Sequence, residues 1–215
     1  NGQNTYTGAT TVSAGTLNLG HATNTLADTS TVVVSGGVLA IGGNSDTVGG
    51  VQLSGGSITG SGGTLTSTTA YDLQAGSVSA ILGGTVGLNK TTAGTVTLSG
   101  ANAYTGATSI TAGELALGAN NALSDSTAVT VNGATAVLNM STFNDTVASV
   151  SLQGAGTING TGALTSTAAF DLQSGTVNAV LAGTAGANKT TAGAVTLNGQ
   201  NTYTGATTVS AGTLN

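Results

Sequence analysis

A frame of six positions recurs along the chain: an aliphatic residue, a polar residue, two small residues, one further residue and a second aliphatic residue. It spans Val12–Leu17, and its first aliphatic position returns at Val34, Leu53 and Leu73, with gaps of 22, 19 and 20 residues. In the second half the same position is filled by Val131, Leu152 and Leu172. Alternating apolar and polar residues predict short strands, and the small residues predict tight turns between them. We therefore expect strands repeating about every 20 residues.

A longer repeat encloses this frame. The phrase NTYTGATTVSAGTLN occupies Asn4–Asn18, returns unchanged at Asn201–Asn215, and has a divergent copy at Asn102–Ala116. The spacing predicts one continuous solenoid segment over 1–215, with modules at approximately 4–101 and 102–200, the start of a third at 201–215, and a higher repeat of 197 residues. Because the first eighteen residues equal the last eighteen, we expect the chain to be a window on a longer array.

The period also predicts how the chain buries its apolar positions. A single coil of about 20 residues cannot fold alone, since ordering it costs on the order of 30 kcal/mol and each buried aliphatic side chain returns only about 1.5–3 kcal/mol. Stacked coils pair their strands in parallel and align their aliphatic residues in internal columns. The prediction is an all-β parallel β-helix, or β-solenoid, of about 10–11 coils with about 20 residues per coil.

Composition narrows the classes of protein. Charged residues make up 4% of the chain, Gly accounts for 36 residues, and Pro and Cys are absent. The Gly content and the abundant Thr and Val disfavour helices, and no apolar run is long enough to span a membrane as a helix. The net charge of -5, with two Lys and no Arg, argues against nucleic acid and anionic membranes as partners. Without Cys there is no disulfide and no thiolate metal site.

One stretch per module carries a family resemblance. The phrase NTYTGATTVSAGTLNLG, preceded at the later copies by Gly94–Gly100 and Gly193–Gly199, closely resembles the passenger-associated transport repeat of autotransporters, the type V secretion family. The resemblance covers some 25 residues per module. It implies a right-handed β-helix in a secreted or surface-displayed passenger that is exported unfolded through an outer-membrane barrel.

Candidate catalytic and metal-binding residues are few. His21 is the only His and its counterpart in the second module is Ala119, so we expect a solvent-exposed loop residue. Acid–base or nucleophilic chemistry needs a partner within hydrogen-bond reach, and no Cys, Arg or second His is available. We therefore predict no catalytic residue, no cofactor and no metal site, and no enzyme activity. A polysaccharide-active β-helix of the pectate-lyase kind is the least favoured alternative.

The acidic residues recur with the module: the first set is Asp28, Asp46 and Asp72, the second is Asp125, Asp145 and Asp171, and Glu114 alone has no counterpart. Solubility and turn chemistry are the expected roles, because Asp readily bonds backbone groups at bends. Calcium at Gly42–Asp46 is the sharper alternative, but its spacing does not fit a calcium-binding repeat.

Two further predictions concern pairs and stacks of side chains. Lys90 follows Asp72 by 18 residues and Lys189 follows Asp171 by the same interval, which suggests surface ion pairs across adjacent coils, each contributing at most about 1 kcal/mol. One Tyr per module is expected to anchor a coil interface: Tyr6, Tyr104 and Tyr203. In the repeated phrase, Tyr6 and Gly8 are expected to fix a bend. Thr runs such as Thr64–Thr69 suit outward strand positions, with ice binding as the rival interpretation.

Taken together, the sequence predicts a structural repeat segment of a bacterial cell-surface or extracellular fibre or adhesin, which acts as a rigid stalk or filament body. The alternative is a face that binds glycan or ice. Expected partners are other copies of the rod, end to end or side by side, and secondarily host or matrix glycans. We expect no nucleic acid partner and no membrane insertion of this segment.

Overall fold

The computed structural model describes residues 2–215; Asn1, the first residue of the predicted segment 1–215, lies outside the described residues. Those residues form 26 strands in chain order: β1 Thr10–Val12, β2 Thr16–Asn18, β3 Thr31–Gly42, β4 Asp46–Val48, β5 Gly50–Gly60, β6 Thr64–Ser67, β7 Tyr71–Leu73, β8 Gly76–Val78, β9 Ile81–Gly83, β10 Leu88–Lys90, β11 Thr95–Leu98, β12 Thr108–Ile110, β13 Gly113–Leu117, β14 Ala128–Asn132, β15 Ala136–Asn139, β16 Asp145–Val147, β17 Ser149–Gln153, β18 Gly156–Asn159, β19 Ala163–Ser166, β20 Phe170–Leu172, β21 Gly175–Val177, β22 Val180–Ala182, β23 Ala187–Lys189, β24 Ala194–Leu197, β25 Thr207–Val209 and β26 Thr213–Leu214. Residues 2–215 contain no helix, and so no segment with the length and apolarity of a membrane-spanning helix.

All strand pairs are parallel and join each coil to the next, so the chain is a β-solenoid of about ten turns with roughly 20 residues per turn. The predicted fold class is confirmed. The first face runs through β1, β3, β5, β7, β10, β12, β14, β17, β20, β23 and β25. Val12, Val34, Leu53 and Leu73 lie opposite one another along it, as the period predicts.

The second face runs through β2, the later halves of β3 and β5, and then β8, β11, β13, β15, β18, β21, β24 and β26. The small residues of the six-residue frame form the corner between the first and second faces. In the repeated phrase this corner contains Gly15, Gly113 and Gly212, which adopt φ of 67°, 67° and 72°. A residue with a Cβ rarely adopts such a φ, so Gly is required there.

The third face is interrupted. It consists of two separate three-stranded sheets, β4-β6-β9 and β16-β19-β22. Before β4, and again between β9 and β16, two successive coils have no strand on the third face. We call these the first seam, residues 2–9 and 19–30, and the second seam, residues 99–107 and 118–127.

The interior is built from the inward positions of the strands. Columns such as Leu39–Ile58–Val78–Leu98 are fully buried and form one continuous cluster along the rod. Parallel pairing places equivalent side chains directly above one another, which is why a repeating sequence gives an unbroken core.

Candidate functional site

An asparagine from the repeated phrase bonds the backbone of a neighbouring coil at three places on the third-face side: Asn4 in the first seam, Asn102 in the second, and Asn201 in the irregular residues 198–206. Asn102 is buried; its Oδ1 accepts from the Leu82 N–H at 2.8 Å and its Nδ2 donates to the Ala122 carbonyl at 2.6 Å. Asn201 accepts from the Leu181 N–H at 2.8 Å, and Asn4 donates to the Thr25 carbonyl at 2.6 Å. The Asn side chain therefore supplies hydrogen bonds that a strand would supply in the rest of the third face.

The tyrosine two residues later packs over the preceding coil, as predicted. Tyr104 is fully buried with its ring centroid 6.2 Å from that of Tyr71, and Tyr203 lies 6.0 Å from Phe170. Tyr6, in the first coil, is 43% exposed. In all three the hydroxyl bonds a Thr four residues on, at 2.6–2.8 Å.

The chain bends at Gly8 and at the equivalent Gly106 and Gly205, as expected for the joint that the repeated phrase forms. Glycine is needed at Gly106 and Gly205 because neighbouring coils approach closely there. A Cβ on Gly106 would collide with the Gly87 backbone nitrogen, and one on Gly205 with that of Gly186. Glycine is therefore used here for space, whereas at Gly15 and its equivalents it is used for a positive φ.

The predicted surface ion pairs between Asp72 and Lys90 and between Asp171 and Lys189 are wrong. Asp72 lies opposite Asn89, and Asp171 opposite Asn188, so each Lys is one position further and points into the rod. Lys90 is 0% exposed and Lys189 is 1% exposed.

Each lysine instead donates hydrogen bonds to backbone carbonyls at a corner of the rod. The Lys90 ammonium donates to the carbonyl of Thr92 and, at 3.1 Å, to that of Ala112 in the next coil. Lys189 does the same with Thr191 and with Ala211 at 3.2 Å. Burial lowers the pKa of Lys90, because the charged form loses its hydration. The outer surface consequently presents neither of the chain's two lysines.

Two of the acidic residues are buried, which contradicts the expectation that they serve solubility. Asp46 is 3% exposed and Asp145 is 2% exposed, and their columns continue with Leu65 and Leu164. Asp46 Oδ2 accepts from the Leu26 N–H at 2.9 Å, and Asp145 Oδ2 accepts from the Leu123 N–H at 2.8 Å.

The second carboxyl oxygen, Oδ1, of both Asp46 and Asp145 is buried without a hydrogen-bond partner. Burial raises the pKa of Asp46, and it raises the pKa of Asp145 to about 6. These are the only acidic side chains among residues 2–215 whose charge the fold removes from water in this way.

A second pair of acids that recurs with the module, Asp72 and Asp171, lies on the outside of the first face. Asp72 Oδ2 accepts from the Nε2 groups of Gln52 and Gln74, both at 2.8 Å. Asp171 Oδ2 accepts from Ser151 Oγ and Gln173 Nε2, both at 2.8 Å. The full outward row of this face is Thr11, Val33, Gln52, Asp72, Asn89, Ser109, Thr130, Ser151, Asp171, Asn188 and Thr208.

The remaining charged residues are dispersed. Asp28 and Asp125 are exposed in the first and second seams, and Glu114 accepts from Asn139 Nδ2 at 2.9 Å on the second face. His21 is a loop residue, as predicted, but it is partly buried, with Nδ1 against the Thr23 carbonyl. Within residues 2–215, no three His, Asp or Glu side chains come together as a metal-binding group.

The segment considered for calcium is held by the coils beside it. Asn44 Nδ2 donates to the Leu19 carbonyl at 2.6 Å, and Ser45 Oγ accepts from the Thr64 N–H at 3.2 Å. With Asp46 bonded to Leu26, all three side chains are directed to backbone groups of neighbouring coils rather than to a common centre.

Threonine occupies outward positions, as its strand preference predicts. In Thr64–Thr69, Thr64 and Thr66 face outward, and the Thr68 and Thr69 hydroxyls both bond the Gly49 carbonyl. The longest outward Thr row in register on the second face is Thr157–Thr176–Thr196, which follows Val137.

Comparison with a family model gives a match in three segments. Residues 1–19, 88–117 and 188–215 match the passenger-associated-transport-repeat. The later two matches begin at β10 and β23, so they include the buried Lys90 and Lys189 as well as the bridging asparagines Asn102 and Asn201. Comparisons with curated proteins and with solved structures gave no match. The chain is therefore a β-solenoid in which three segments match the passenger-associated-transport-repeat.

Proposed function

We propose that this chain is a rigid stalk or filament body that gives length to a bacterial surface or extracellular adhesin or fibre. The observation that carries the proposal is continuity: the first and second faces pair from coil to coil without a break, and one buried cluster extends along the rod. Ten steps of about 4.8 Å make a rod of roughly 48 Å.

The arrangement of polar groups supports a structural role for the segment 88–117 that matches the family model. Asn102, Tyr104 and Lys90 are all buried and bond or pack against adjacent coils. Such residues hold coils together and offer no reactive group to a substrate. We propose accordingly that the segment has no enzyme activity of its own.

We also propose that the segment acts outside the cell. The passenger-associated-transport-repeat matches support this, since passengers of type V secretion are exported. Antibodies against the segment should label intact cells that produce the parent protein. Labelling that requires permeabilised cells would contradict the location.

Self-association of rods is part of the proposal. The outward row of the first face consists mostly of uncharged Thr, Ser, Asn and Gln side chains, with a carboxylate only at Asp72 and Asp171, so neighbouring rods meet little repulsion. Sedimentation velocity over a range of concentrations should give a mass that rises with concentration. A single monomeric species throughout would contradict it.

Deletion of residues 102–200 tests the stalk function. The deletion joins Ala101 to Asn201, which occupies the same position in the repeated phrase as Asn102, so the coil phase is retained. We expect small-angle scattering to give a folded rod shorter by about 24 Å, from five coils of about 4.8 Å.

Glycan arrays and thermal hysteresis, measured on both lengths, separate the alternatives. A stalk shows neither activity at either length. Glycan binding or thermal hysteresis that disappears with the deleted module would overturn the stalk and favour a binding face.

A further inference from the structure

The seams contain the one polar arrangement in the rod that its role as a stalk does not use. At each seam the third face has no strands, apart from the single parallel bridge Thr23–Ser45 beside the first seam, and a buried carboxylate joins the irregular segment to the next coil. Asp145 accepts a hydrogen bond from the Leu123 N–H at the second seam, and Asp46 accepts one from the Leu26 N–H at the first. The two aspartates lie 99 residues apart and the two leucines 97, and the hydrogen bonds are 2.9 Å at the first seam and 2.8 Å at the second.

Each of these carboxyl groups is only half satisfied. Oδ2 accepts one backbone hydrogen bond, whereas Oδ1 is buried and has no partner, and the neighbouring residues in the column are leucines. Backbone N–H groups of Thr25 and Thr47 near Asp46, and of Ala122 and Thr146 near Asp145, favour the ionised form, but the loss of hydration on burial outweighs them. Opening the adjacent loop would give that oxygen access to water.

We propose that the two seams are proton-controlled joints, closed when Asp46 and Asp145 are neutral and loosened when these side chains ionise. Ionisation shifts the balance towards local opening of the irregular segments 19–30 and 118–127. The first and second faces keep their strand pairing, so the rod stays assembled while one side of it opens. The proposal goes beyond the stalk function, since a stalk needs no response to pH.

Neighbouring acidic groups also disfavour ionisation of the two buried carboxyl groups. Asp125, on the segment that carries Leu123, and Tyr104, on the facing coil, are the titratable groups that interact with Asp145. Asp28 interacts with Asp46. Negative charge on either Asp28 or Asp125 makes ionisation of the buried partner less favourable. Both lysines lie outside the seams, in β10 and β23, and His21, which lies in the first seam, has its Nδ1 against the Thr23 carbonyl.

The direction of the pH effect follows from burial. The pKa of Asp145 is raised from 3.8 to about 6, so the closed seam holds the proton more tightly than the open one. The extra stability of the closed form is complete below about pH 3.8 and is lost as pH rises through about 6. Each pKa unit is a factor of ten, so the opening equilibrium should be on the order of 100-fold more favourable at pH 8 than at pH 3.5.

Two measurements on the whole chain test the proposal. Carbon NMR of the Asp carboxyl groups reports the ionisation of Asp145 directly and needs no variant; a midpoint near 6 is expected. Hydrogen exchange, corrected for the intrinsic pH dependence of exchange, reports the opening of the seam. Protection of the Leu123 amide should fall on the order of 100-fold with the same midpoint.

Asp145→Asn provides the internal comparison. It should remove the pH dependence of Leu123 protection and leave that of Leu26 at the first seam unchanged, while Asp171→Asn, at an outward position, should alter neither. A carboxyl midpoint below about 4.5 for Asp145, or Leu123 protection that is flat from pH 3.5 to 8 in the unmodified chain, would overturn the proposal.

Discussion

The first and second modules have the same coil arrangement, although the continuous strands β3 and β5 of the first are split into β14 with β15 and β17 with β18 in the second, and they differ at one fully buried aromatic position. Tyr71 in β7 and Phe170 in β20 are both fully buried, and both pack against a Tyr of the next coil. The single proton of the Tyr71 hydroxyl is shared between the Leu65 and Gly83 carbonyls, at 2.7 and 2.8 Å, and the oxygen accepts from the Ser67 N–H at 3.1 Å. Phe170 can form none of these bonds.

The difference separates two roles of the aromatic residue. The ring fills the space between the first and third faces, and either residue does this. The hydroxyl links β7 to the strands β6 and β9 of the third face, and only the first module has it. A repeat protein can therefore vary a cross-link between its faces while keeping the volume that its columns need.

Leu53→Asp and Leu152→Asp should have the largest effect, because they place an unpaired carboxylate in the same internal column of the two modules. We expect a loss of more than about 4 kcal/mol at the affected coils. Hydrogen exchange should show lost protection in neighbouring coils and retained protection in the other module. Global loss of protection from either change would contradict the view that each coil depends mainly on its neighbours.

Asn102→Ala should rank second. It leaves the Leu82 N–H and the Ala122 carbonyl buried without partners, at a cost of about 2–4 kcal/mol. Asn201→Ala is the matched control, since Asn201 accepts only from the Leu181 N–H and should cost about 1–2 kcal/mol. Exchange of the Leu82 and Leu181 amides measures both. Equal effects would show that the two-sided bridge at Asn102 adds nothing to the one-sided bond at Asn201.

Tyr71→Phe converts the first module to the second at the aromatic position. The ring stays, so the change isolates the hydroxyl, and leaving its buried partners unbonded should cost about 1–3 kcal/mol. The reverse change, Phe170→Tyr, should alter stability by less than about 1 kcal/mol in either direction, because a new hydroxyl brings its own desolvation cost. Protection of the Ser67 and Ser166 amides reports both. A large gain from Phe170→Tyr would mean that the second module is preformed for the hydroxyl.

The sequence predicted the fold because one period fixes both the strands and their register. Val12, Val34, Leu53 and Leu73 were predicted from spacing alone, and they lie opposite one another in the structure. The prediction that Lys90 lies on the surface is wrong because a spacing of about one coil does not fix which side of the strand a residue faces. Alternation in Leu88-Asn89-Lys90 already points Lys90 inward, a signal stronger than the charge of the residue.

The buried carboxylates had a similar signal. Asp46-Thr47-Val48 and Asp145-Thr146-Val147 alternate in the same way, so Asp lies on the same side of its strand as the buried Val. The bonds of Asp46 to Leu26 and of Asn102 to Ala122 are not predictable, since both partners are backbone groups of irregular loops about 20 residues away in the chain. Loop conformation depends on tertiary contacts that a strand period does not encode.

His21→Ala should have the smallest effect, and it tests whether the first module carries chemistry that the second lacks. Ala119 already occupies the equivalent position, and the contact of His21 Nδ1 is with the Thr23 carbonyl of its own loop. We expect the free energy of unfolding of the first coils to change by less than about 0.5 kcal/mol, since the contact is local and partly exposed. Calorimetric titration with zinc before and after the substitution adds a functional measurement to hydrogen exchange. Zinc binding that the substitution abolishes would show that the two modules differ in function as well as in the linkage of their faces.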